Sequence, residues 1–188
     1  MRLSKITKIL LWGANIWFFG EGLLGPLLAV FTEKIGGDIL DISWAWAIFL
    51  IATGVCYIIT GRLINGKPMK TKVILMIIGY GLNALFTFCY LFVKNPEQLF
   101  LVQACLGVSE ALGSPTWDAL YAKSLNETND GYAWGLAGGQ SQIVTGVAIL
   151  LGGFMIYYLS FEFLFIVMGI IQVIATVIQA RILITKNE

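Results

Sequence analysis

Long apolar runs alternate with short polar connections along the whole chain. A helix needs roughly 20 apolar residues to cross the ~30 Å hydrocarbon core of a bilayer, so runs of that length predict membrane spans. Six such runs occur, at approximately 8–30, 43–61, 72–93, 97–121, 133–158 and 160–183. Their connections are too short to hold another folded unit. We therefore predict an all-α integral membrane protein in which residues 1–188 form a single six-helix domain.

The composition agrees with this prediction and narrows the class. Hydrophobic residues make up 58 % of the chain and charged residues 12 %, whereas charged residues are roughly a quarter of a soluble domain. A β-barrel would need ~10-residue segments of alternating polarity, but these runs are apolar on nearly all sides. The basic start MRLSKITK leads into a long apolar run without a small-residue cleavage site, so we expect the first segment to be retained.

The basic residues predict an orientation, because cytoplasmic loops carry the excess of Lys and Arg. With the N-terminus inside, only Lys34 and Lys94 lie outside. The cytoplasmic side then holds Arg2, Lys5, Lys8, Arg62, Lys67, Lys70, Lys72, Lys123, Arg181 and Lys186. We expect both termini to be cytoplasmic, in a cell membrane of the prokaryotic plasma-membrane type.

Catalytic and metal chemistry have little support in the sequence. The chain has no histidine, which excludes imidazole metal sites and imidazole proton relays. The three cysteines, Cys56, Cys89 and Cys105, fall in three different runs without metal-ligand spacing. No nucleophile–base set or phosphate loop is present. We expect no enzyme activity, no cofactor, no metal and no nucleic-acid partner.

A short motif occurs twice and predicts an internal repeat. Gly20-Glu21-Gly22-Leu23 is followed by Pro26, and Ser109-Glu110-Ala111-Leu112 is followed by Pro115, with the same spacing from Glu to Pro. The two copies lie in the first and fourth runs, so the chain divides into three-helix units at about 8–93 and 97–183. Since three is odd, the second unit enters the membrane from the opposite side. This predicts two inverted repeats, which are common in secondary transporters.

Both motif glutamates fall near the predicted bilayer midplane, without a basic partner at that depth. Such a carboxylate is costly unless it is protonated, paired or in contact with a water-filled cavity. Each proline also leaves a carbonyl, that of Gly22 or Ala111, without its usual donor. Glu21 and Glu110 are therefore candidate proton or cation sites. The alternative is that protonated glutamates only hold helices together by hydrogen bonds, while Gly and Pro allow close packing.

Other polar residues extend the candidate site. Asp118 lies two turns beyond Glu110, where it either serves an entrance or caps the helix end. Neutral polar side chains within the runs either line a cavity or form interhelical hydrogen bonds: Asn15, Asn83, Gln103, Gln140, Gln142, Gln172 and Gln179. Six glycines in the fifth run, with the spacing Gly135-x-x-x-Gly139 among them, predict close helix packing: Gly135, Gly138, Gly139, Gly146, Gly152 and Gly153.

Four stretches resemble the N-terminal half of a major facilitator superfamily transporter. They are GPLLAVFTEKIGG, GRLINGKPMKTK, LVQACLGVSEALGSP and GYAWGLAGGQSQIVTGVAILLGGFM, in the family's order. In the loop after the second helix, Gly61 and Leu63 match the family, but Asn65 replaces its usual Asp. Gln103 stands where many members have Arg, and Ala148-Ile149 replaces the Gly-Pro of the drug antiporters. These departures weaken a drug/proton antiporter assignment.

The resemblance implies a cavity lined by helices 1, 2, 4 and 5, with Pro26, Pro115, Gly61 and Asn65 as hinge or gating positions. Members usually have about twelve helices in two halves. We therefore predict a half-sized secondary transporter that works as a parallel homodimer by alternating access. Protonation of the midplane glutamates would couple to a small solute, and the acidic midplane disfavours anions. The alternatives are a non-transporting membrane scaffold, one half of a heteromer, or a fragment of a longer chain.

Overall fold

The computed structural model describes residues 3–125 and 130–185, and the regular elements in these ranges are helical. Arg2 and Lys186, which entered the orientation argument, lie outside the described residues. The helices are α1 (Lys5–Leu24), α2 (Leu27–Lys34), α3 (Ile39–Ile64), α4 (Met69–Cys89), α5 (Pro96–Ser124), α6 (Asp130–Tyr158) and α7 (Phe161–Ala180). Single 3-10 turns, Tyr90–Phe92 and Arg181–Ile184, follow α4 and α7.

Capping side chains explain where several helices begin. The Asp38 side chain accepts from the backbone of Leu40 and Asp41 and forms a capping box at the start of α3. Asn95 caps α5, in which Pro96 takes the first position, where a missing N–H costs nothing. Ser160 caps α7 in the same way. Polar residues at the ends of apolar runs thus fix the helix boundaries.

The first predicted span, 8–30, is broken. Gly25 adopts a positive φ of 31°, and Pro26 follows it, so α1 ends at Leu24 and α2 begins at Leu27. The two pieces meet at an angle of 46°. Glycine tolerates that backbone conformation and proline removes the donor that would continue the helix. The break lies directly after the Glu21 motif.

Four helices of the described chain are long and apolar enough to cross a membrane: α3, α4, α6 and α7, the second and last counted with their 3-10 turns. The bent pair α1–α2 makes a fifth if it counts as one span. Helix α5 has 29 residues, but its polar and small side chains keep it out of that set. The sixth predicted span therefore stays a prediction.

The helices pack in a defined pattern. Helix α1 packs against α6 and α7, α5 packs against α3 and α4, and α4 packs against α7. Two apolar clusters fill the interior, one around Leu23, Leu99 and Phe165, the other around Leu10 and Tyr121. Helices α3 and α6 are left as the outer members of the bundle.

The two described ends of the chain lie at the same end of this bundle. Lys5 at the start of α1 and Arg181 after α7 line one groove. Lys34, at the end of α2, pairs instead with Glu162 at the start of α7, with Nζ 3.2 Å from Oε1. Helices α1 and α7 therefore run in opposite directions: they share a groove at one end of the bundle, and at the other end the salt bridge joins α2, which follows α1, to the start of α7.

The close packing predicted for the glycines of α6 is not found, among the described residues, at Gly135 and Gly139. A Cβ placed on either glycine would meet no atom within 4 Å, so both lie against open space. The close approach on α6 is at Gly152, where a Cβ would collide with the carbonyl of Leu23 on α1. Gly22 faces Ala148 in the same contact. The spacing of glycines was therefore a poor guide to which face of α6 is packed.

Candidate functional site

A cavity of about 350 Å³ lies between α1, α3, α5 and α6, with Tyr90 as a further lining residue. Both motif glutamates, Glu21 and Glu110, line it. The other polar lining residues are Gln103, Ser141, Gln142 and Thr145, and the aromatic ones are Trp17, Phe18, Trp46, Phe49 and Tyr90. The repeated motif, 89 residues apart in sequence, thus converges on one cavity.

Glu21 is held by a neighbouring helix. Gln172 of α7 donates from Nε2 to Glu21 Oε1 at 3.1 Å and to the carbonyl of Trp17 at 3.4 Å. Gln172 is completely buried, and its Oε1 has no hydrogen-bond partner among the described residues. An amide donor orients the carboxyl group of Glu21 without neutralising its charge.

Glu110 is held only from its own helix, where Ser114 Oγ donates to Oε1 at 3.0 Å. The single salt bridge among residues 3–125 and 130–185 is Lys34–Glu162, so neither cavity glutamate has a cationic partner there. No Lys or Arg lines the cavity. The site therefore combines two carboxyl groups, neutral polar groups and aromatic rings.

Asn15 and Gln140 bond to each other beside this cavity. Asn15 Nδ2 donates to Gln140 Oε1 at 2.9 Å, joining α1 to α6. Asn15 also lines a second cavity of about 190 Å³, which shares Phe18 and Ser141 with the first. Gln142 lines the first cavity directly. The structure thus places Gln142 with the glutamates and gives Asn15 and Gln140 an interhelical hydrogen bond.

Asp118 does not reach either cavity. Its Oδ2 accepts from the hydroxyl of Tyr57 at 3.0 Å, which ties α5 to α3. Asp118 lies two turns along α5 from Glu110 and bonds a residue of α3, so its membership of the site stays a prediction.

The four predicted hinge or gating positions differ from one another. Pro26 lies at the break between α1 and α2, whereas Pro115 is buried inside an unbroken α5. Gly61 is exposed near the end of α3, and Asn65 caps that end. Pro26 coincides with the 46° bend between α1 and α2. Pro115, Gly61 and Asn65 are absent from the lining of both cavities described above.

Some lining residues were missing from the sequence-based site. Ser141 and Tyr90 carry no distinct signal, because serines and tyrosines are common in helical membrane proteins. The aromatic lining residues come from α1, α3 and the turn after α4, and they become visible as a set only when these elements are assembled. Gln172, one of the polar side chains that the sequence singled out, bonds Glu21 from α7 without lining the cavity.

These features define a multi-pass helical membrane protein with an acidic cavity among its helices. The family model of the Major Facilitator Superfamily matches residues 10–188. The chain belongs to this superfamily of transporters, as the four stretches indicated.

Two relatives support the same membership. The chain is 20 % identical over 164 residues to the uncharacterized MFS-type transporter YitZ of Bacillus subtilis (strain 168), covering 87 % of this chain and 98 % of the relative. It is 22 % identical over 160 residues to the uncharacterized MFS-type transporter MJ1560 of Methanocaldococcus jannaschii, covering 85 % of this chain but 41 % of that relative. The same unit therefore matches one protein of similar length and less than half of a longer one.

Proposed function

We propose that the chain is a secondary transporter that works by alternating access, with a small solute and protons sharing the cavity of Glu21 and Glu110. The observation that carries the proposal is the convergence of two carboxyl groups on a cavity without a basic lining residue. Ionisable groups at membrane depth are expensive and mark ion or substrate pathways. Alternate protonation and release at these carboxyl groups would couple proton movement to solute movement.

The packing pattern supports two inverted three-helix repeats. In such repeats α1 corresponds to α5, α3 to α6 and α4 to α7. The contact of α1 with α6 then corresponds to that of α5 with α3, and the contact of α1 with α7 to that of α5 with α4. The contact of α4 with α7 becomes itself. Repeats of this kind place binding sites at their interface and allow one unit to rock against another.

The outer helices support pairing with a second six-helix unit, for which we propose a parallel homodimer. Only 6 % of the most apolar stretch of α3 and 17 % of that of α6 is buried, against 44 % for α4 and 39 % for α7. Gly54 and Gly61 on α3 would accept a Cβ without contact, as would Gly139 and Gly146 on α6. Small residues let membrane helices approach closely.

The lining favours a neutral or cationic solute. Two carboxyl groups repel anions, while faces of Trp and Tyr attract cations. The neutral polar groups, among them Gln103 and Gln142, offer hydrogen bonds to either class.

The proposed orientation keeps both ends of the chain in the cytoplasm of a cell membrane. Lys5, Lys8 and Arg181 lie at the end of the bundle where α1 begins and α7 finishes, and Lys34 lies at the other. The excess of basic residues belongs on the cytoplasmic side.

Alternating access has a test that needs no known solute. Thr145 lines the cavity, and a Thr145→Cys variant, with the native cysteines replaced by alanine, offers one thiol there. We expect a membrane-impermeant maleimide to label it in both right-side-out and inside-out vesicles. A Leu164→Cys variant, at a fully buried apolar position, should be labelled in neither. Labelling of Thr145→Cys from one side only would contradict the proposal.

A further inference from the structure

A groove of about 620 Å³ lies at the outside of the bundle, between the start of α1 and the end of α7. It shares no lining residue with the cavity of Glu21 and Glu110. Transport as proposed above makes no use of it.

Three cationic side chains line this groove. Lys5 and Lys8 are three residues apart on α1, which puts them on one face of the helix. Arg181 comes from the 3-10 turn after α7. Among residues 3–125 and 130–185 no acidic side chain lines the groove, and the salt bridge of these ranges lies at the opposite end of α7. Like charges held together repel each other, so an anion in the groove lowers the energy of this arrangement.

Apolar side chains continue the groove from the charged end. Ile178 and Trp12 line it, and Trp12 is 67 % exposed. Trp12 follows Lys5 by seven residues, or ~10 Å along a helix that rises about 1.5 Å per residue. Tryptophan concentrates at the level of lipid headgroups. Along α1 the groove is therefore lined first by the cationic Lys5 and Lys8 and then by Ile9 and Trp12.

We propose that this groove binds one anionic phospholipid. The phosphate contacts Lys5, Lys8 and Arg181, and an acyl chain lies along Trp12 and Ile178. A free soluble anion would contact only the charged end of the groove. The exposed side chains of Trp12 and Ile184, the latter 84 % exposed, would then have no apolar partner. Basic pockets at the ends of membrane helices suit lipid headgroups for the same reason.

The test uses the full chain in detergent, supplied with equal amounts of phosphatidylglycerol and phosphatidylcholine and observed by native mass spectrometry. We expect the unmodified protein to retain phosphatidylglycerol several-fold more than phosphatidylcholine. A Lys5→Gln/Lys8→Gln/Arg181→Gln variant should lose this preference. A control variant, Arg62→Gln/Lys67→Gln/Lys70→Gln, removes the same charge from exposed positions away from the groove and should keep it.

Two further measurements keep the test decisive. A Lys5→Arg/Lys8→Arg/Arg181→Lys variant preserves charge and should restore the preference, which separates loss of binding from loss of folding. Inorganic phosphate added in excess should not displace the lipid. Equal loss in the groove and control variants, no preference in the unmodified protein, or displacement by phosphate alone would each overturn the proposal.

Discussion

Glu21 and Glu110 share a cavity but differ in what holds them. Glu21 is tethered to α7 through Gln172, whereas Glu110 has a bond only within α5, to Ser114. A change of helix packing therefore alters the surroundings of Glu21 directly. Glu110 keeps its hydrogen bond to Ser114 when α5 moves as a rigid body, because both residues lie on α5.

At this scale we predict that Glu21→Gln and Glu110→Gln each abolish most proton-linked flux. Glutamine has the size of glutamate and its amide oxygen accepts the same bonds, but it releases no proton. The assay is collapse of a pH gradient in proteoliposomes on addition of neutral and cationic solutes. Glu97→Gln, at an exposed position in the first turn of α5, should leave flux unchanged. Unimpaired flux in both cavity variants would refute proton coupling through these residues.

The sequence identified these glutamates because a charge inside an apolar run is visible without a structure. It also identified Gln142, which lines the cavity. It did not reveal that Asp118 bonds Tyr57, 61 residues away, because the orientation of a side chain on a helix depends on its neighbours. For the same reason the sequence named Gln172 as a polar residue within a span but did not reveal that it bonds Glu21.

At the scale of elements, the joint between α1 and α6 is the tightest feature described. Gly22 and Gly152 bring the two backbones together beside the cavity, next to the break at Gly25 and Pro26. Most helix positions followed from hydropathy. The break did not, because 8–30 was predicted as one span with Pro26 as a hinge or gating position, and the same motif at Pro115 leaves α5 continuous. Which glycines are packed did not follow, since Gly152 and Gly153 are indistinguishable in sequence but face opposite surroundings.

We predict that Gly152→Ala destabilises the protein while Gly153→Ala does not. The added methyl group at Gly152 meets the carbonyl of Leu23, whereas the one at Gly153 meets nothing within 4 Å. Overpacking costs about 1–3 kcal/mol, and alanine improves helix propensity by up to ~1 kcal/mol over glycine. Thermal unfolding in detergent should show a lower midpoint for Gly152→Ala alone. Equal midpoints for the two variants would contradict the packing described.

At the scale of the whole molecule, the outer helices α3 and α6 are much less buried than α4 and α7. α4 and α7 cover the interior, while α3 and α6 present apolar faces with open glycines. The resemblance between this chain and YitZ extends over nearly all of that relative, and in MJ1560 the matching region is less than half of the protein. Both matches are consistent with the proposal that this six-helix unit pairs with a second six-helix unit.

We predict two copies per particle by single-molecule photobleaching in bilayer nanodiscs. Pairs of introduced cysteines test the interface. One cysteine replaces Val55 or Ile59 on the exposed face of α3, and the other replaces Val147 or Leu151 on that of α6. We expect such pairs to cross-link between copies. A control pair at Leu85 on α4 and Val177 on α7 should not, since these helices lie away from the proposed interface. A persistent monomer would contradict the homodimer and favour a heteromer or a non-transporting role.

The packing of α1 also sets an order of events during synthesis. Its partners are α6 and α7, which leave the ribosome last, and the amide that binds Glu21 comes 151 residues after it. We therefore expect the first helix to be made to lack these partners until the final third of the chain arrives. Helix α5, in contrast, has its partners α3 and α4 already made. We expect assembly to begin in the middle of the chain, and a ribosome stalled before α6 to leave Glu21 without its intramolecular partner.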